Sequence, residues 1–156
     1  MIPLFIEVVG APYPVLPPGI HWATMDEVAV RFATSPHRVW LYEGLVHAVE
    51  VLTRAGCRHL YLDGSFVTAK ESPGDYDGCW DPTGVVAAKL DPVLLDFTNG
   101  RAAQKRKYRG ELFIAGAPNG PDGTFLEFFQ VEKHTGAAKG IIGVPLGNGN
   151  GGGMRP

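Results

Sequence analysis

The residues of this chain best suited to chemistry are two carboxylates one residue apart, Asp75 and Asp77, and a Gly64-Ser65 step eleven residues before the first of them. An apolar run, His59-Leu60-Tyr61-Leu62-Asp63, leads straight into the glycine. The order predicted is a strand, a Gly-Ser turn opening a helical turn, a loop, and a second strand carrying Asp-x-Asp. Strand side chains alternate faces, so Asp75 and Asp77 share one face and Tyr76 takes the other. Two like charges on one face repel unless a cation lies between them. The pair is therefore a candidate clamp for a divalent ion, and carboxylate oxygens suit Mg²⁺ or Mn²⁺. The amides of the Gly64-Ser65 turn would favour an anion. Lys70, between turn and acid pair, is a candidate for phosphate oxygens. A metal clamp beside a phosphate cradle equips a protein for phosphoryl or nucleotidyl transfer.

One further acid is a candidate neighbour of the pair. Glu111 opens a run, Glu111 to Ala115, that alternates as a strand, with Leu112 and Ile114 on one face and Glu111, Phe113 and Ala115 on the other. It could lie beside the Asp-bearing strand and ligate the metal or take a proton from an attacking hydroxyl. Asp96 and Asp81 rank below it, one inside an expected helix and the other past the strand end. The basic run Arg101, Lys105, Arg106, Lys107 and Arg109 reads better as a solvated helix face than as a nucleic-acid patch. Lys139-Gly140 sets a cation beside a flexible residue, and is a weaker candidate for the pocket lining. Five histidines show no ligand spacing, and no Ser-His-Asp or Cys-His set can be assembled. Catalysis through a covalent nucleophile is not expected.

The elements that must position these groups follow from pattern. Pro3, Pro12, Pro14, Pro17 and Pro18 make residues 1–22 an extended, Pro-rich arm with one short strand at 4–9. Thr24-Met25-Asp26-Glu27 is a capping box opening a helix to about Ala33, with Val28, Val30 and Phe32 as its apolar members. Ser35-Pro36 opens a second and clearer helix, with Val39, Tyr42, Leu45, Val46, Val49 and Leu52 at helical spacing and a stop at Gly56. It should pack on the sheet that begins near Arg58. Asp91-Pro92 starts a further helix that Asn99-Gly100 interrupts. Thr124 opens a helical stretch over 125–132, and 139–144 form a last apolar strand. From Gly147 onward the Gly/Asn-rich tail cannot bury anything and is expected to be disordered. The fold class expected is α/β (α+β): a small mixed sheet of four or five strands with helices against it. Residues 1–146 would form one domain and 147–156 the tail.

Length and composition agree with a single soluble domain. There are 156 residues, 45% of them hydrophobic and 19% charged, and the net charge of −2 argues against a general nucleic-acid surface. Cys57 and Cys79 are too few for a metal set or a disulfide framework. The N-terminus has no basic-then-apolar signal and no apolar run approaches membrane length, so a cytoplasmic location without membrane contact is expected.

Gly64-Ser65 with Asp75-x-Asp77 resembles the signature of the polymerase-beta-like nucleotidyltransferase superfamily, in its small bacterial branch. The stretch from Leu16-Pro17-Pro18-Gly19 to Lys139-Gly140-Ile141-Ile142 is similar to an uncharacterised bacterial group of such proteins. The resemblance implies that Gly64 and Ser65 hold an incoming nucleoside triphosphate and that Asp75, Asp77 and a third acid bind Mg²⁺ or Mn²⁺. A nucleoside monophosphate would then pass to a hydroxyl on a protein, an RNA end or a small molecule. It also implies a partner in a toxin–antitoxin pair. The alternative is a binding module, antitoxin-like or a nucleotide sensor, that keeps the fold without the activity. Two departures stand out. Glu111 replaces the usual Asp, and Val67-Thr68-Ala69 fill the place of an Arg and a Gly after the Gly-Ser pair.

Overall fold

A computed structural model describes residues 1–147. Five strands form one mixed sheet in the order β1-β5-β2-β3-β4. They are β1 (Gly19–Trp22), β2 (His59–Asp63), β3 (Tyr76–Trp80), β4 (Gly110–Ile114) and β5 (Gly140–Pro145). The inner neighbours β5, β2 and β3 run antiparallel, while β1 pairs with β5 and β4 with β3 in parallel. The helices are α1 (Met25–Phe32), α2 (Pro36–Arg54), α3 (Thr98–Tyr108) and the single turn α4 (Phe125–Phe128).

Alternation along each strand sorts the residues into two unlike faces. Leu60, Leu62, Tyr76, Trp80, Leu112, Ile142 and Val144 join Phe32, Leu41, Leu45 and Leu52 in the main core. The opposite face carries the acids, beside a smaller cluster of Cys79, Ala115, Phe129 and Ile141. Polar chemistry is thus confined to the face that the long helices leave open.

Both early helix starts form as expected. Thr24 and Glu27 make the reciprocal capping box of α1, and Ser35 caps α2 with Pro36 in its first turn. The inward faces are shifted, however. Val30 is 82% exposed and Val39 is also exposed. The buried stripe of α2 is Arg38, Leu41, Gly44, Leu45, Ala48, Val51 and Leu52. Small residues belong to it because α3 comes close: a Cβ on Gly44 would lie 2.3 Å from the Tyr108 carbonyl oxygen. A reading that weights only large apolar residues misses that contact.

Residues 1–22 are more than an arm. Val15 and Leu16 are buried, and Gly19–Trp22 is a sheet strand in register with 140–143. The strand expected at 4–9 reduces to one bridge between Ile6 and Val15. Asp91-Pro92 opens a 3-10 turn, Pro92–Leu95, rather than a long helix. α3 begins with three left-handed residues, Asn99, Gly100 and Arg101, where the interruption was expected. Gln104 of α3 accepts from the Leu112 amide, which covers the outer edge of β4. The helical stretch expected over 125–132 is one turn, closed by a capping box between Thr124 and Glu127. Of the expected tail, Gly147 is buried, and 148–156 lie outside the described residues. Among the described residues no helix is long and apolar enough to cross a membrane. Cys57 and Cys79 are buried free thiols, pushed by burial up to about 11 and about 12 respectively.

Candidate metal and phosphate site

The parallel pairing of β3 with β4 sets Asp77 directly beside Glu111, and Asp75 stands just ahead of β3 on the same face. Each of the three carboxylates offers an oxygen within 4.8 Å of the others, and all three are partly buried. Tyr76 points the opposite way into the core. The three acids therefore meet as the spacing predicts.

The row extends one strand further than the sequence suggested. Asp63, at the end of β2, is the antiparallel register partner of Asp77, so Asp63, Asp77 and Glu111 stand abreast on three adjacent strands. Lys139 donates to the Asp63 carboxylate and to the Phe129 carbonyl, in a buried pair that ties the entrance of β5 to the end of β2. At Asp63 burial outweighs Lys139 and leaves the carboxyl above the usual carboxylate range. Arg101 Nε donates to Glu111 at 2.5 Å, and Lys105 lies 3.4 Å from the same carboxylate. The basic run is accordingly divided among local partners, with Lys107 on Asp91 and Arg109 on Glu43 and the Trp40 carbonyl.

Asp75 and Asp77 have no such cation among the described residues. Burial first, then the charges of Asp75, Asp63 and Glu111, push the Asp77 carboxyl up to about 8. Burial and then Glu111 raise Asp75. This is the electrostatic state of an acid cluster short of positive charge. The donors are all carboxylate oxygens, a set that fits a hard divalent cation such as Mg²⁺ or Mn²⁺ and not a thiolate-loving metal.

Gly64 and Ser65 lie at the same cavity. Gly64 adopts φ +82°, and a Cβ there would lie 2.5 Å from Asp77 Oδ2, so backbone rather than side chain meets the acid. Ser65–Val67 is one turn of 3-10 helix with no side-chain cap at its start. A turn this short carries little macrodipole, so any hold on an anion falls to the leading amides themselves. Phe66 and Val67 are buried in the core. Thr68 Oγ1 donates to the Ser65 carbonyl and accepts from the Lys70 amide. Val67-Thr68-Ala69 therefore builds the turn and sends no cation toward a phosphate.

That turn hangs from the start of α2. The buried Arg38 donates to the carbonyls of Phe32, Phe66, Thr68 and Lys70, at 2.6 to 3.0 Å. His37 Nε2 lies 2.6 Å from the Pro73 carbonyl. The two side chains brace almost the whole connection between Gly64 and Asp75. Lys70 itself is exposed and lines the cavity mouth. The rivals Asp81 and Asp96 serve local turns, accepting from the amides of Thr83 and Thr98.

The cavity measures about 580 Å³ and holds every candidate residue at or near its wall: Gly64, Ser65, Lys70, Asp75, Asp77 and Glu111. Its remaining wall, with Tyr13, Lys133, Lys139 and a group of phenylalanines, was not foreseen apart from Lys139. Phe113 was visible as the next residue on the Glu111 face; the others come from loops whose approach no local pattern encodes.

Fold and site together define a mixed α/β protein with an acidic cleft at the exposed face of its sheet. Residues 11–145 match the family described as a family of unknown function (DUF6932), and the chain belongs to that family. No curated protein and no solved structure matches it.

Proposed function

We propose that the protein is a metal-dependent nucleotidyltransferase of the cytoplasm, moving a nucleoside monophosphate from a nucleoside triphosphate to a hydroxyl of a protein or RNA. One observation carries the reading: three carboxylates, two of them register partners on adjacent strands, converge within 4.8 Å, with Asp77 lying against the backbone of Gly64. Asp75, Asp77 and Glu111 would hold Mg²⁺ or Mn²⁺, which when bound supplies charge stabilisation at phosphate oxygens. The Gly64-Ser65 amides and Lys70 orient the phosphates. Glu111 takes the proton of the acceptor hydroxyl as its oxygen bonds to the α-phosphorus. The bond from that phosphorus to the bridging oxygen breaks, and pyrophosphate leaves with the electron pair. A protein acceptor agrees with a role in a toxin–antitoxin pair, the partner relation implied by the superfamily resemblance.

The test is to incubate the protein with each labelled triphosphate, Mg²⁺ or Mn²⁺, and lysate. Label should enter an acceptor with the wild type and not with Asp75→Ala or Asp77→Ala. Transfer that survives both substitutions contradicts the reading.

A second reading has its own support. Arg101 and Lys105 already pair with Glu111, which leaves its carboxylate engaged, and no cation follows the glycine turn inside the cavity before Lys70. These features favour a module that binds a nucleotide or a partner protein without transferring anything. Calorimetric titration with Mg²⁺ and ATP separates the two, because binding heat without label transfer supports the module.

A further inference from the structure

The acids account for only part of the cavity wall. Phe113, Phe125, Phe128, Phe129 and Val131 also line it. Phe113 is engaged by its neighbours: Phe125 stacks on it at 4.4 Å and 17°, Phe97 lies parallel at 6.3 Å, and the Arg101 guanidinium sits 5.1 Å from its centroid. Phe129 is buried. Phe128 differs. It meets one ring, Phe129, in a tilted contact at 6.3 Å and 51°, and half of its surface is exposed. The exposed half of the Phe128 ring lines the cavity and stays in water, where it adds nothing to the fold and is free to meet a ligand.

The Thr124–Glu127 capping box closes the turn that presents this ring. Lys139, through the Phe129 carbonyl, fastens the following residue to the acid-bearing strands. The backbone that carries the ring is therefore tied to Asp63 and, through the sheet register, to Asp77.

We propose that Phe128 is the stacking platform for the base of a bound nucleotide, with Phe125 and Val131 completing an apolar base subsite. The inference rests on the nucleotide-handling reading above and assigns the part of the substrate that the acids and the glycine turn cannot hold. The cavity wall offers two kinds of surface, apolar aromatic and acidic, and a nucleoside triphosphate carries a matching pair: a flat ring system and a metal-binding polyanion. Phe128 presents a π-face and no hydrogen-bonding group, so it stabilises any base by stacking.

The experiment compares ATP with inorganic tripolyphosphate, each in Mn²⁺, by equilibrium binding to the full chain. Phe128→Ala should weaken ATP about 10-fold, the range expected for losing one base–aromatic stack, and leave tripolyphosphate within about twofold. Phe128→Trp should keep ATP binding, with an indole fluorescence that ATP quenches and tripolyphosphate does not. Unchanged ATP affinity in Phe128→Ala, or equal losses for both ligands, overturns the base subsite while leaving metal-dependent transfer intact. Phe128-dependent ATP binding without label transfer supports the subsite and counts against the transferase. A wild type that binds neither ligand overturns both.

Discussion

At the scale of single residues, the acid cluster has a measurable cost. Asp77 is raised from 3.8 to about 8 by burial and by three neighbouring acids. A folded state that keeps its proton to higher pH than the unfolded chain is stabilised by that group at low pH. This contribution is fully present below about pH 4 and is lost as pH climbs through 8. In metal-free protein, Asp77→Asn should therefore raise the melting temperature relative to wild type at pH 8, by the equivalent of several kcal/mol at about 1.4 kcal/mol per pKa unit, and change little at pH 4. Thermal melts across that range check it, and a difference independent of pH contradicts it. Adding Mn²⁺ at pH 8 should stabilise the wild type and leave Asp77→Asn nearly unmoved, because a ligand that binds only the folded state raises its stability.

Among the elements, α2 does more than cover the sheet. Its first turn holds the Gly64–Asp75 connection through Arg38 and His37, and Arg38 reaches carbonyls on both α1 and the glycine turn. Replacing Arg38 by Ala strands those carbonyls, so the fold should lose about 3 kcal/mol or more. Amide exchange over residues 65–70 should rise with it. Arg38→Lys should recover little, since one ammonium cannot reproduce a planar fork that serves four carbonyls. Urea unfolding with hydrogen exchange reads both quantities, and a Lys variant as stable as wild type contradicts the brace. No apolar-periodicity argument finds this residue: an arginine on the inward stripe of a helix reads as polar until its partners are known.

For the whole molecule, the local parts of the site were legible and the non-local parts were not. Asp75, Asp77, Glu111 and the glycine turn follow from strand alternation and short spacings, and the sheet register brings them together. Asp63 looked like the last residue of a strand, because its membership in the acid row depends on its pairing with Asp77. β1 was hidden by Pro17 and Pro18 and by a partner strand near the other end of the chain. The phenylalanine wall depends on where the loops around α4 return to the sheet, which periodicity does not encode. The basic run shows the same limit. Its charge was plain, but its division among Glu111, Asp91 and Glu43 is a matter of tertiary proximity.

Those proximities reduce to one quantity, the affinity of the acid row for a divalent ion. A calorimetric Mn²⁺ titration of wild type against Asp75→Asn, Asp77→Asn and Glu111→Gln measures it without reference to substrate or acceptor. Saturable binding is expected in the wild type, weakened at least about tenfold by each substitution, as when one of a few charged ligands is removed. Wild-type protein that takes up no Mn²⁺, or binding untouched by Asp77→Asn, would contradict it.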